Sequence, residues 1–119
     1  MKKWIFIALI FTSCSPGVDR REAPDNLIGE DKMVEILTEL MKIEGHVNVK
    51  YLQVSRYRGI MKVSADSLFE AKGISSKQFE KSYEFYAHQQ QDLKRMYEKV
   101  LDNLNHELTD LELKEQNKK

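Results

Sequence analysis

Leu27 to His46, LIGEDKMVEILTELMKIEGH, is the stretch that decides the fold. Met33, Ile36, Leu37, Leu40, Met41 and Ile43, followed by Val47, recur at spacings of three and four and place one apolar face on a helix. Glu30 and Asp31 fall in its first turn, where the helix dipole favours carboxylates. Glu35, Glu39 and Lys42 mark an opposite, solvated face. The helix is firm to about His46. Beyond it V-N-V-K-Y-L-Q-V alternates like a strand, but a lone strand has nothing to pair with, so continued helix is expected through about Arg58.

Downstream, Gly59 to Val63 is expected to break the pattern, with Ser64 capping a short helix over residues 65–72 that buries Leu68, Phe69 and Ala71. Gly73 then takes the position just past a helix end. Ser75 is an N-cap with Gln78 three residues on, the pattern of a capping box, and Ile74 and Phe79 are placed to staple it. Phe79, Tyr83 and Tyr86 line one face of the helix that follows, to about His88. H-Q-Q-Q-D marks a turn or kink. A last, long helix carries Leu93, Met96 or Tyr97, Val100, Leu104, Leu108 and Leu111 as a near-heptad seam, and K-E-Q-N-K-K should fray at its end. The expected fold is an all-α small bundle of about four helices, two long ones antiparallel with short ones between.

Upstream, MKKWIFIALIFTSC has a basic start, an apolar run from Trp4 to Phe11 and small residues at Thr12 and Ser13. That is the pattern of a secretory signal, and the run is far short of the ~20 residues a membrane-spanning helix needs. F-T-S-C resembles a bacterial lipoprotein box, although Phe11 stands where leucine is usual. The resemblance implies cleavage before Cys14 and acylation of its sulfur and amine. The alternative is an ordinary signal with an incidental thiol. A lone cysteine cannot form an internal disulfide, and lipidation explains both its number and its place. Two or more acyl chains, at ~0.8 kcal/mol per buried methylene, make a stable anchor. The expected organisation is a signal over 1–13, a lipidated cysteine and tether over 14–26, and a helical domain over 27–119. The tether is inferred from two prolines, a glycine and no apolar periodicity. Ser15 lacks the aspartate that marks inner-membrane retention in enteric-type lipoproteins, and the tether has no dense acidic run of the surface-export kind. Both point to the periplasmic face of an outer membrane.

Without its leader the chain has 106 residues, one small domain. Lys2 and Lys3 leave with the leader, so 17 basic and 19 acidic side chains remain, a formal charge of −2. That balance argues against nucleic acid and offers no polybasic patch for anionic lipid. His88 and His106 share a helix face only at ~27 Å separation, at 1.5 Å per residue, useless for one metal ion. With His46 they are expected as surface residues. No metal-ligand spacing, Gly-rich phosphate loop or nucleophile set can be assembled, and the paired carboxylates Glu35 and Glu39, or Glu107 and Asp110, have no apolar neighbour to raise a pKa. No enzyme, no cofactor and no small-molecule substrate is expected.

P-D-N-L-I-G-E-D-K-M-V-E-I-L, then K-G-I-S-S-K-Q-F-E-K-S-Y-E-F-Y and L-K-R-M-Y-E-K-V, resembles a family of small Bacteroidota-type lipoproteins that carry a domain of unknown function. The likeness runs over about residues 24–105. It departs at Gly29 and Gln89, where the family often has prolines. The resemblance implies a lipoprotein with an α-helical fold and no assigned activity.

Tyr51, Tyr57, Phe69, Phe79, Tyr83, Phe85, Tyr86 and Tyr97 are mostly expected in the core. Phe85 lies across its helix from Phe79 and Tyr86, and Tyr51 and Tyr57 fall in the least regular stretch. These three, with residues 47–63, are the candidate partner-binding surface, since tyrosine offers contact area with a polar tip. The expected function is a lipid-anchored adaptor or accessory subunit of a cell-envelope complex, docking an envelope protein. The alternative is a periplasmic holdase-like chaperone, which needs a broader apolar or Met-rich cradle.

Overall fold

In the computed structural model the described residues are 21–50 and 54–119, and they form a four-helix bundle: α1 (Glu30–Lys50), α2 (Val54–Ala71), α3 (Ser76–Ala87) and α4 (Gln90–Gln116). The signal, Cys14, residues 15–20 of the tether and Tyr51 lie outside the described residues. No described helix is long and apolar enough to cross a membrane.

The first helix begins where its acids predict, with the Met33 amide donating to the Gly29 carbonyl at 2.9 Å. Met33, Ile36, Leu37 and Val47 are buried, and Leu40 and Met41 pack at the core's edge. Val34 and Thr38 are buried too, which widens the apolar stripe toward α4. The core adds Ile28 from the strap before α1, Phe69 from α2, Tyr86 from α3, and Met96 and Val100 from α4.

The second helix departs from expectation. The chain does not break at Gly59–Val63, and Ser64 caps nothing; all lie inside α2, which starts at Val54. The single helix expected through Arg58 is described as α1 to Lys50 and α2 from Val54. Glycine within a helix costs only ~1 kcal/mol relative to alanine, which packing of Ala65, Leu68 and Phe69 against the core outweighs. Gly73 ends α2 at φ 68°, with its own amide on the Glu70 carbonyl and the Ile74 amide on the Phe69 carbonyl. This is a Schellman cap.

Helix directions correct a second expectation. α1 has an antiparallel neighbour, but it is α2: Tyr57 meets Glu44 at one end and Lys72 meets Glu35 at the other. The two longest helices run parallel, since Glu30 meets Lys99, Thr38 meets Asn103 and Lys42 meets Glu107. Apolar periodicity is identical in either direction. The ion pairs spread along the contact are compatible with this direction, and α2 runs 18 residues where the sequence pattern predicts a helix over 65–72.

Ser75 caps α3 as predicted, its hydroxyl accepting the Gln78 amide at 3.0 Å. The reciprocal half of the box is absent, because the Gln78 side chain instead donates to the Asn26 carbonyl at 2.8 Å. Residues 21–28 lie against α3 as a strap. The Ile28 amide donates to the Ser82 hydroxyl at 3.0 Å, the Tyr86 hydroxyl donates to the Ile28 carbonyl at 2.7 Å, and Arg21 pairs with Glu84. After His88 and Gln89 the chain folds back into α4, which stays helical to Gln116, into the tract expected to fray.

Candidate docking groove

Helix α1 contributes Leu37, Leu40 and Met41, α2 contributes Tyr57 and Met61, α3 contributes Phe79 and Tyr83, and α4 contributes Tyr97 to one open groove of about 470 Å³. Each is carried there by helical spacing next to a core position, so the groove is the core's outer edge left uncovered. Phe79 and Tyr83 of its lining continue an aromatic ladder from the core: buried Phe69 stacks on Phe79 at 4.8 Å between centroids, and Phe79 on Tyr83 at 6.0 Å. The Tyr83 and Tyr97 hydroxyls lie 3.0 Å apart and share a hydrogen bond. Glu44 and Arg58 line its polar rim, and Tyr57 donates to Glu44 Oε1 at 3.1 Å.

Burial, then the bond to Tyr83, pushes the Tyr97 phenol up to about 12. Burial first and Glu44 second also raise Tyr57. Both phenols therefore stay neutral at physiological pH and act as hydrogen-bonding tips on apolar rings. The lining is thus mainly apolar and aromatic, with phenol tips available for hydrogen bonds.

A second groove, about 530 Å³, runs between α1 and α4 and is lined by Asp31, Glu35, Glu39, Asp102 and Glu107. Four of these five carboxylates are engaged by lysines: Lys42 bridges Glu39 and Glu107 at 2.9 Å each, Lys99 reaches Asp31, and Lys72 binds Glu35, while Asp102 lies 3.5 Å from His106 Nδ1. Among the described residues no group of three or more His, Cys, Asp or Glu is placed to hold a metal ion.

The structure separates the predicted surface residues. Tyr57 lines the aromatic groove, whereas Phe85 borders a smaller hollow beside Arg21, Glu22 and Pro24 of the strap, and the two sites share no residue. Phe85 also packs on the core, edge-on to Tyr86 at 5.5 Å. The sequence placed Phe79, Tyr83 and Tyr97 with the core and did not single out Met41 as a site residue, whereas Met61 falls within the 47–63 stretch of the candidate surface. The available signal was tyrosine rather than phenylalanine at 57, 83 and 97, because a hydroxyl on an inward-facing position asks for a wet edge.

The described residues form a small all-helical bundle with an open aromatic groove on one face. A family model described as a domain of unknown function (DUF4296) matches residues 24–110, and the chain belongs to that family. No curated protein and no solved structure matches the chain.

Proposed function

We propose that this protein is a non-catalytic adaptor or accessory subunit, held by acylated Cys14 at the periplasmic face of an outer membrane, that docks an envelope protein. The observation that carries this reading is the groove around Tyr57, Met61, Phe79 and Tyr97. Aromatic rings and methionines give large contact area, and the phenol tips fix orientation without burying a charge. A groove confined to one face suits a single partner better than the broad cradle of a holdase. The leader pattern and the Bacteroidota-type lipoprotein resemblance support the anchor.

In-cell crosslinking and affinity capture of the full chain test the reading, with Cys14→Ser to remove the anchor and Tyr57→Ser to open the groove wall. An adaptor recovers one or two envelope proteins in fixed proportion to itself, and Tyr57→Ser loses them while helicity stays unchanged. A smear of many outer-membrane proteins that grows under folding stress would sink the adaptor and leave the chaperone.

A further inference from the structure

Two arms of opposite charge extend past the core. Residues 101–116 of α4 carry Asp102, Glu107, Asp110, Glu112 and Glu115 against Lys114, a net charge of −4. Residues 43–50 and 54–63, the far parts of α1 and α2, carry Lys50, Arg56, Arg58 and Lys62 against Glu44, a net charge of +3. Lys50, Arg56 and Arg58 make no ion pair among the described residues.

Each arm also exposes apolar surface. Leu101, Leu108 and Leu111 are 55%, 57% and 58% exposed and, with Leu104, follow one another at spacings of three, four and three. That is a single stripe along the helix. On the basic arm Val49 is 85% and Val63 66% exposed. Within one copy, the farthest ion pair along α1 and α4 among the described residues is Lys42–Glu107, and the stripe beyond it stays uncovered.

Charge decides what can cover the stripe. A parallel pair of α4 tails would bring Glu107 of one copy toward Glu112 of the other across the flanking positions, a like-charge contact on a seam of only two heptads. The basic arm offers the opposite sign beside exposed valines. We propose that the chain self-associates, the acidic leucine-striped tail of one copy seating on the basic α1–α2 arm of a second copy. If each copy gives its tail and receives the other's, the contact closes as a two-fold dimer. The proposal does not rest on the adaptor reading: the basic arm shares Glu44, Tyr57, Arg58 and Met61 with the aromatic groove, but Lys50, Arg56, Leu108 and Leu111 lie outside the groove's lining.

Co-expression of tagged and untagged full-length chains tests it, reading recovery of the untagged copy on the tagged one. The wild type should be recovered near one to one, and recovery should fall steeply between 0.05 and ~0.5 M salt, because exposed charges are screened over a Debye length of ~10 Å at 0.1 M. Leu108→Glu with Leu111→Glu, and separately Lys50→Glu with Arg56→Glu, should each lower recovery at least tenfold. All four positions are exposed, and circular dichroism verifies that the helices persist. Adding Asp110→Lys and Glu112→Lys to the reversed arm should restore it. No recovery of wild type on itself overturns the proposal, as does loss with the leucine variant but not with the reversed arm, which would mean tail-on-tail pairing. Capture of an envelope protein through Tyr57 would survive either failure.

Discussion

The Tyr86 hydroxyl donates to the Ile28 carbonyl at 2.7 Å, joining residues 58 apart, and the Ser82 hydroxyl accepts the Ile28 amide from the same helix. Both backbone groups of one buried residue are thus satisfied by side chains of α3. This double clamp seats the strap before α1 where no helix or sheet could satisfy it. Tyr86→Phe keeps the ring but leaves a buried carbonyl without its partner, a cost of about 1–3 kcal/mol. Ser82→Ala does the same to the amide. Denaturant titration should show a lower midpoint for each, and an unchanged midpoint for both would mean that water replaces the clamp.

The centre of the core should be intolerant of truncation. Met96 and Ile36 are fully buried, and replacing either by alanine removes packed methylenes and leaves a cavity. The expected loss is about 2–5 kcal/mol by denaturant titration. Lys77→Ala, on the exposed face of α3, should cost under ~0.5 kcal/mol in the same titration, because surface substitutions away from special features change stability little.

Gly59, inside α2, and Gly73, just past its end, should respond with opposite signs. Gly59 sits mid-helix with open space where a Cβ would stand, so Gly59→Ala should stabilise by ~0.5–1 kcal/mol. Gly73 is at φ 68°, where an L side chain is strained, so Gly73→Ala should destabilise by about 1–2 kcal/mol. Thermal melts of the two variants should move in opposite directions. A Gly59→Ala variant that melts lower would contradict α2 as one continuous helix.

Acid should release the α1–α4 contact. Hydrogen bonds from Arg95, then Lys99, hold the Glu30 carboxyl down from 4.5 to about 2. The folded state therefore binds the proton less readily than the unfolded chain. The stabilisation is fully present above about 4.5 and is lost as pH falls through about 2. Glu30→Gln should be less stable than wild type at neutral pH and should converge with it near pH 2. Added salt should shrink the neutral-pH difference, since the ion pairs are open to solvent. A constant gap across the titration would show that Glu30 acts through packing rather than charge.

Local signals were legible in the sequence wherever neighbours decide the outcome. The acids at Glu30 and Asp31, Gly73 past a helix end and Ser75 at a helix start each satisfy backbone groups within a few residues, and all three stand as read. Gly59 and Ser64 also resembled local signals, but there the tertiary contact of α2 with α1 outweighs the local preference. Half of the capping box failed for a similar reason. Gln78 has a better acceptor in Asn26, which only the folded strap delivers.

Of the candidate surface, Tyr57 lines a groove and Phe85 does not share it, because which side of a helix stays open depends on where its neighbours run. The sequence by itself determined the all-α class, the existence and most ends of the helices, and the apolar face of α1, since periodicity and capping are properties of a single segment. Only the tertiary structure decided that α1 and α4 run parallel, that Phe79, Tyr83 and Tyr97 edge a groove, and that the leucine stripe of α4 outruns its partners. A helix shows the same apolar spacing whichever way its neighbour points and whether or not that neighbour is long enough to cover it.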